Sequence, residues 1–425
     1  MLDILKQAWQ VLSAMPDWSL FALFWVTILV EAPRHGMGLQ ATAMALLLRD
    51  YRHYGPLEPL PSVSILLVGH NEEDSIEKCV RSLYQQTFSK FEIVCVDDGS
   101  SDQTFEIMTR LWREGLVKSV ARLQLRGGKA SAINLAARVA KGEIFLVIDC
   151  DCSFEPDAIE ELLRPLASDP KVMAVSGNVL VRNWNASITA SLQGIEYLLS
   201  ISLGRAFSDA LNQVSCVSGA FAAFRRSAWE QVGGMDIGSG EDFDFTLRLR
   251  MRGHKVAFAR HAVCYTDVPV STYNLLRQRN RWERDAIWIR YRKYSRLMSP
   301  FRRSFMWTEA LHEWDFLIFN LIPTISFPFY IVWMLKEYGE YGLTLLFVVW
   351  LGLFIFDIAA FVSAAIVTGK WVYLRLAPFI PIFGLYQSYV MRLNRFYAYT
   401  TELIFSSSLT DNFVPKKARD LIDWR

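Results

Sequence analysis

"FEIVCVDDGSSD", Phe91 to Asp102, changes character at its midpoint. Its first half is apolar and β-branched apart from Glu92; its second half is acids, a glycine and serines. A short apolar run closed by turn residues reads as a strand buried on both faces. Asp97 and Asp98 therefore stand at that strand's C-terminal end. The pattern recurs in "IFLVIDCDCS", Ile144–Ser153, where Asp149 and Asp151 follow the run Ile144–Ile148. A third run, "VSILLV", occupies Val63–Val68, and amphipathic helical stretches at Ser75–Gln85 and Ala130–Ala140 lie between the three. Strand, helix and strand at this rhythm predict an α/β domain of parallel strands joined by right-handed crossovers. Sheets of that kind bind ligands, nucleotides among them, beyond the C-terminal ends of their strands.

Both acid pairs fall at that position. Carboxylates one residue apart, as in Asp149 and Asp151, can converge on a hard divalent cation, and Mg2+ or Mn2+ takes such oxygens together with phosphate. The same residue types also build ordinary turns. A third acidic run, "GSGEDFDF" (Gly238–Phe245), offers Glu241 and Asp242. A carboxylate here is a candidate base for a hydroxyl nucleophile; equally, Ser239 or Asp242 would cap a helix over Phe243–Met251. In "RGGKAS", Gly127, Gly128 and Lys129 open a helix, where backbone N–H groups and an ammonium suit an anion.

The rest of the chain is much greasier. Over 425 residues the apolar fraction is 52%, with 28 Phe and 14 Trp, too apolar for an ordinary soluble enzyme. A net charge of +2 gives no nucleic-acid signature, so no nucleic acid is expected as a partner. Segments long enough to cross a bilayer are Trp314–Leu335 and Leu343–Val367, the latter with Asp357 inside. Trp371–Met391, with Arg375, Pro378 and Pro381, predicts a kinked or re-entrant segment. Trp18–Val30 reads as an N-terminal anchor. Arg34, Arg49 and Arg52 after the first span, and Arg290–Arg303 before the second, place the intervening region in the cytosol. Arg392, Arg395, Lys416, Lys417 and Arg419 put the tail there too, a parity that three later crossings would break. The expected divisions are an anchor and interface segment at 1–53, a cytosolic domain at 54–304, a transmembrane region at 305–391 and a basic amphipathic tail at 392–425.

Before the second span lies "LLRQRNRWERDAIW", Leu275–Trp288, with four arginines. On a helix, Gln278, Arg281 and Trp282 share a face. That face suits a polyanion or the headgroups of membrane lipids; a solvated basic helix is the plain alternative.

In this order, "VGHNEE" (Val68–Glu73), "VDDGSSD", "RGGKASAIN", "DCD", "VSGAFAAFRRSAWEQVGGMD" (Val217–Asp236), "GED" and "QRNRW" resemble the membrane-embedded family-2 glycosyltransferases. That group includes the cellulose, chitin, hyaluronan and poly-N-acetylglucosamine synthases and the nodulation chitooligosaccharide synthases. The resemblance implies a GT-A-type nucleotide-sugar-binding domain with amphipathic interface helices and several transmembrane helices. It implies a UDP-sugar donor, a growing polysaccharide acceptor, Mg2+ or Mn2+, and a multi-pass location in the plasma (inner) membrane. Accessory export subunits or a homo-oligomer belong to the same expectation. Carried over by motif, Asp97 and Asp98 bind uridine, while Asp149 and Asp151 hold ribose and the metal–diphosphate, with Asp151 the metal ligand. Lys129 and Glu241 lie at the donor, and Asp242 is the general base. Gln278, Arg281 and Trp282 bind diphosphate and line the acceptor entrance. Two departures stand out: Gly69-His70 where the family often has an aromatic, and Gly240 where the acidic motif often reads TED. Ceramide glucosyltransferases share the acids and the (Q/R)xxRW motif, so transfer of one sugar to a lipid is the alternative activity. A non-catalytic nucleotide-sugar sensor is a third class, which the full set of acids disfavours.

Overall fold

The computed structural model describes residues 12–26, 54–58, 61–236, 240–295 and 305–410, with positions 6, 9, 10, 29 and 238 besides. By internal contacts the chain divides into two compact units.

One unit contains the sheet. Its eight strands are β1 (Val63–Gly69), β2 (Phe91–Asp97), β3 (Ser119–Arg122), β4 (Ile144–Asp149), β5 (Ser153–Phe154), β6 (Val172–Val181), β7 (Phe221–Arg225) and β8 (Lys255–Thr266). They lie in the order β3-β2-β1-β4-β7-β6-β8-β5. The three runs predicted from sequence are β1, β2 and β4, side by side and parallel, with every residue of β1 buried. The expectation of parallel strands holds for β3-β2-β1-β4 and again for the pair β6-β8. β7 runs antiparallel between β4 and β6, and β5 is antiparallel to β8, so the sheet is mixed. Gly177 in β6 is a packing requirement, because a Cβ there would come within 2.2 Å of the Phe221 ring on β7.

The core beneath the sheet fixes one helix in particular. Phe245, on the helix Glu241–Met251, meets Phe224 edge-on at 5.0 Å and Trp229 at 4.8 Å, all three buried. That aromatic contact holds the helix start, and with it Glu241 and Asp242, against the sheet.

The other unit includes Asn185–Leu199 and Val270–Ile404. The helix Thr272–Ile287, which sequence grouped with the α/β domain, packs here with the apolar helices. Among the described residues, two helices are long and apolar enough to cross a membrane, Trp307–Tyr338 and Tyr341–Thr368, in line with two of the predicted spans. The third predicted segment is broken: Trp371–Phe379 is a 3-10 helix containing Pro378, followed by a short α-helix, Ile380–Leu385, and a π-helical turn, Tyr386–Met391. Of the predicted anchor, the structure describes a helix over Asp17–Val26, whose buried Leu23 packs with Met334 and Leu345. Arg34, Arg49, Arg52 and the tail beyond Thr410 lie outside the described residues.

Candidate active site

The site is built at the ends of β1, β2 and β4, where Gly69 pairs with Asp97 and the preceding Val68 pairs with Asp149. β7 supplies the fourth wall. Because Ile148 pairs with Phe221, the "SGAF" stretch brings Gly219 and Ala220 to the Asp149 end of β4, and the Asp149 N–H donates to the Ala220 carbonyl at 3.2 Å.

A chain of contacts runs from here to the candidate base. The Lys129 ammonium lies 2.5 Å from Asp149 Oδ1 and donates to the Gly219 carbonyl at 3.1 Å. The Gly219 N–H donates to Asp242 Oδ2 at 3.2 Å. Gly219 has no room for a side chain: a Cβ would sit 3.2 Å from Asp242 Oδ2 and 3.5 Å from Lys129 Nζ. Burial draws the Lys129 ammonium down, but Asp149, Glu241 and Asp242 around it outweigh that and raise it. Burial, then the Asp242 charge, pushes Glu241 up against the opposing pull of Lys129.

Asp242 is not the helix cap. The helix begins at Glu241, two residues earlier than predicted, and its cap position is Gly240, with no side-chain capping bond. Gly240 sits in the left-handed region at φ 76°, a conformation a β-branched threonine reaches only under strain. That accounts physically for glycine where the related motif has Thr. Ser239 lies outside the described residues.

Asp97 and Asp98 serve different neighbours. Asp97 is fully buried; its Oδ1 accepts the Ser100 N–H at 3.1 Å, and Arg122 Nε stands 3.0 Å from its Oδ2. Both Asp98 oxygens accept backbone N–H groups, from Gly127 at 2.7 Å and Gly128 at 3.0 Å. The glycine-turn donors expected to greet an anion are therefore engaged by Asp98. Gly128, at φ 86°, supplies the positive dihedral that this turn requires. Asp151 accepts from the Thr266 hydroxyl at 3.1 Å, and burial followed by the Asp149 charge pushes its carboxyl up.

Sequence reasoning passed over three residues. Glu72, after β1, is raised by burial, and the Asp151 and Asp149 charges add to the rise; its signal is its place just past a strand end in "VGHNEE". Arg122 at the end of β3 pairs with Asp97, and a four-residue strand leaves no periodic signal. The third is Arg279.

Arg279 belongs to the other unit, with Gln278, Arg281 and Trp282. It is the buried arginine of "QRNRW", 4% exposed, and pairs with Glu196 at 3.1 Å. Its guanidinium lies 4.3 Å from the Trp282 ring centroid and 5.6 Å from that of Tyr197. Trp282 remains 41% exposed, Gln278 and Arg281 are half-buried, and the Gln278 Oε1 has no hydrogen-bond partner among the described residues.

The mixed α/β sheet with acids at its strand ends is a GT-A-like glycosyltransferase fold. Its overall course is similar to a mannosyltransferase from Pyrobaculum calidifontis, solved in complex with GDP-Man and Mn2+, at a TM-score of 0.57 and 20% identity, covering 90% of this chain and 99% of that one. The Glycosyl transferase family 2 profile matches residues 64–233, so the chain carries a domain of that family. Poly-beta-1,6-N-acetyl-D-glucosamine synthases from Staphylococcus aureus (strain MSSA476) and Staphylococcus epidermidis are 31% and 29% identical, over 53% of this chain in each case. The chain spans about half the length of these relatives, at 55% and 54%.

Proposed function

We propose that the chain is an inverting membrane glycosyltransferase that uses a UDP-sugar to extend a β-linked polysaccharide and pass it across the membrane. The observation that carries this reading is the run Asp149–Lys129–Gly219–Asp242. It sets a strand-end carboxylate and an ammonium, suited to a nucleotide diphosphate, on one side of a glycine, and a second carboxylate on the other. An acceptor hydroxyl has a pKa far above 7, so its attack needs a base, and Asp242 would take that role. Gln278 and Arg281 would meet the diphosphate, and the exposed face of Trp282 would carry an acceptor sugar ring.

Asp149 and Asp151 offer the hard oxygens that Mg2+ or Mn2+ prefers. Among the described residues no three His, Cys, Asp or Glu side chains converge to hold a metal by themselves, so donor phosphates would complete the shell. Bound there, the cation would neutralise the departing diphosphate. The names of the staphylococcal relatives make UDP-N-acetylglucosamine the first donor to try.

The test uses the purified full chain in nanodiscs, offered a panel of UDP- and GDP-sugars, with nucleotide release and product size both measured. Polymer formed from a UDP-sugar, lost on chelation and restored by Mg2+ or Mn2+, is the expected result. A product one sugar longer than a lipid would replace the synthase reading with lipid glycosylation. Turnover with GDP-sugars alone would overturn the donor, and full activity in excess chelator would remove the metal.

A further inference from the structure

Lys129 is the kind of residue expected at the donor phosphates, yet its ammonium is committed to protein groups. It touches one of the two candidate metal acids, while the other is hydrogen-bonded to different partners. Asp149 Oδ1 takes Nζ at 2.5 Å, whereas Asp151 is held by the Thr266 hydroxyl and the Cys152 thiol, at 3.1 and 3.6 Å. A second bond, to the Gly219 carbonyl at 3.1 Å, also holds the ammonium. The lysine's own backbone is pinned, because Asp98 holds the two glycines just before it through their N–H groups. The result is a compact cation clamped on the oxygen that a divalent ion would need.

We infer that Lys129 is a tethered stand-in for the metal: it keeps Asp149 neutralised while no nucleotide is bound, and releases it only to an arriving diphosphate. This rests on the reading that Asp149 and Asp151 take the cation. An ammonium carries three donors and one positive charge, so it satisfies a lone carboxylate well. A divalent ion approaching Asp149 would meet that charge at close range and be repelled. A diphosphate changes the balance by offering the ammonium several anionic oxygens and the metal its remaining ligands. Metal and nucleotide then enhance each other's binding, and by linkage the enhancement is the same in both directions. The glycine at position 219 belongs to the device through its carbonyl, the second group that holds Lys129 Nζ.

The experiment reads Mn2+ binding to the full chain in detergent by the loss of the free-ion paramagnetic resonance signal, with and without saturating UDP. Without UDP, Lys129→Met should bind Mn2+ roughly tenfold more tightly than wild type, the effect of removing a like charge a few ångströms away. Lys129→Gln is measured beside it, so that poor folding of one variant does not decide the outcome. Lys129→Arg, which retains the charge, should stay as weak as wild type. Arg126→Met removes one exposed charge that has no contact with Asp149, and should change the affinity less than about twofold. With UDP present, the advantage of Lys129→Met should vanish. Binding no tighter in Lys129→Met and Lys129→Gln, or an equal gain in Arg126→Met, overturns the stand-in while leaving the metal site intact. Wild type that takes up no Mn2+ even with saturating UDP overturns the metal site itself.

Discussion

Asp242 and Gly219 divide one corner of the site between chemistry and space. Asp242→Asn keeps the shape and can still accept the Gly219 N–H, but it cannot take a proton. Turnover should fall by about 10²–10⁴ while UDP affinity, measured by titration, stays near wild type. Robust turnover in this variant would remove Asp242 as the base. Gly219→Ala tests the space alone. Its Cβ would press on Asp242 Oδ2 at 3.2 Å, tighter than ordinary contact, so the carboxylate must shift. Roughly a tenfold loss of turnover is expected, because a displacement well under an ångström already degrades an attack geometry. An unaltered rate would mean that the corner is looser than these distances imply. At this scale the sequence names the chemistry and not the partners. Asp97, Asp98, Asp149 and Asp242 could be picked out because acids after apolar runs have few structural duties. Nothing in "VDDG" says that Asp98 will hold two glycine N–H groups thirty residues away while Asp97 takes Arg122. Such choices depend on which strands become neighbours.

Strands β1, β2 and β4 could be read from sequence because burial on both faces makes them apolar throughout. β8 could not, since its run "KVAFARHAVCYT" breaks register with β6 between Gly177 and Asn178 and carries Arg260 and His261 in the interruption. A bulge of this kind destroys the period on which strand recognition rests. The helix Thr272–Ile287 shows the same limit in another form. Its face was legible, but burial singled out the one arginine that the motif leaves unspecified. Arg279 and Glu196 have side chains only 5% and 16% exposed, so breaking the pair strands a buried guanidinium. Glu196→Ala should cost about 3–5 kcal/mol, seen as a clear drop in the melting point of the detergent-solubilised protein. Glu230→Ala, which removes the exposed partner of Arg226 one helical turn away, should cost about 0.3–0.5 kcal/mol. Equal melting points for the two variants would show that the buried pair contributes no more than an exposed one.

Across the whole chain, what the broken segment touches bears on the conflict between three crossings and a basic tail. The 3-10 helix Trp371–Phe379 and the helix Ile380–Leu385 both pack on Ile188–Tyr197. Immediately afterwards, the helix Arg392–Phe405 is tied to the arginine-rich helix. Arg395 and Tyr399 reach Glu283 at 2.9 and 2.7 Å, and Asn394 donates to the Leu276 carbonyl at 3.2 Å. On the proposed membrane reading, helices tied in this way would lie on one face of the bilayer, and an even number of crossings would separate Lys293 from Trp371, with Trp307–Tyr338 and Tyr341–Thr368 as the two candidate spans. Single cysteines introduced at exposed Trp371, Leu374 and Tyr397 should therefore react with an impermeant maleimide only from the side that labels exposed Tyr273. In inverted vesicles all four should label, and in intact cells none. Labelling of Tyr397 from the opposite side to Tyr273 would require a third crossing and would break the even count.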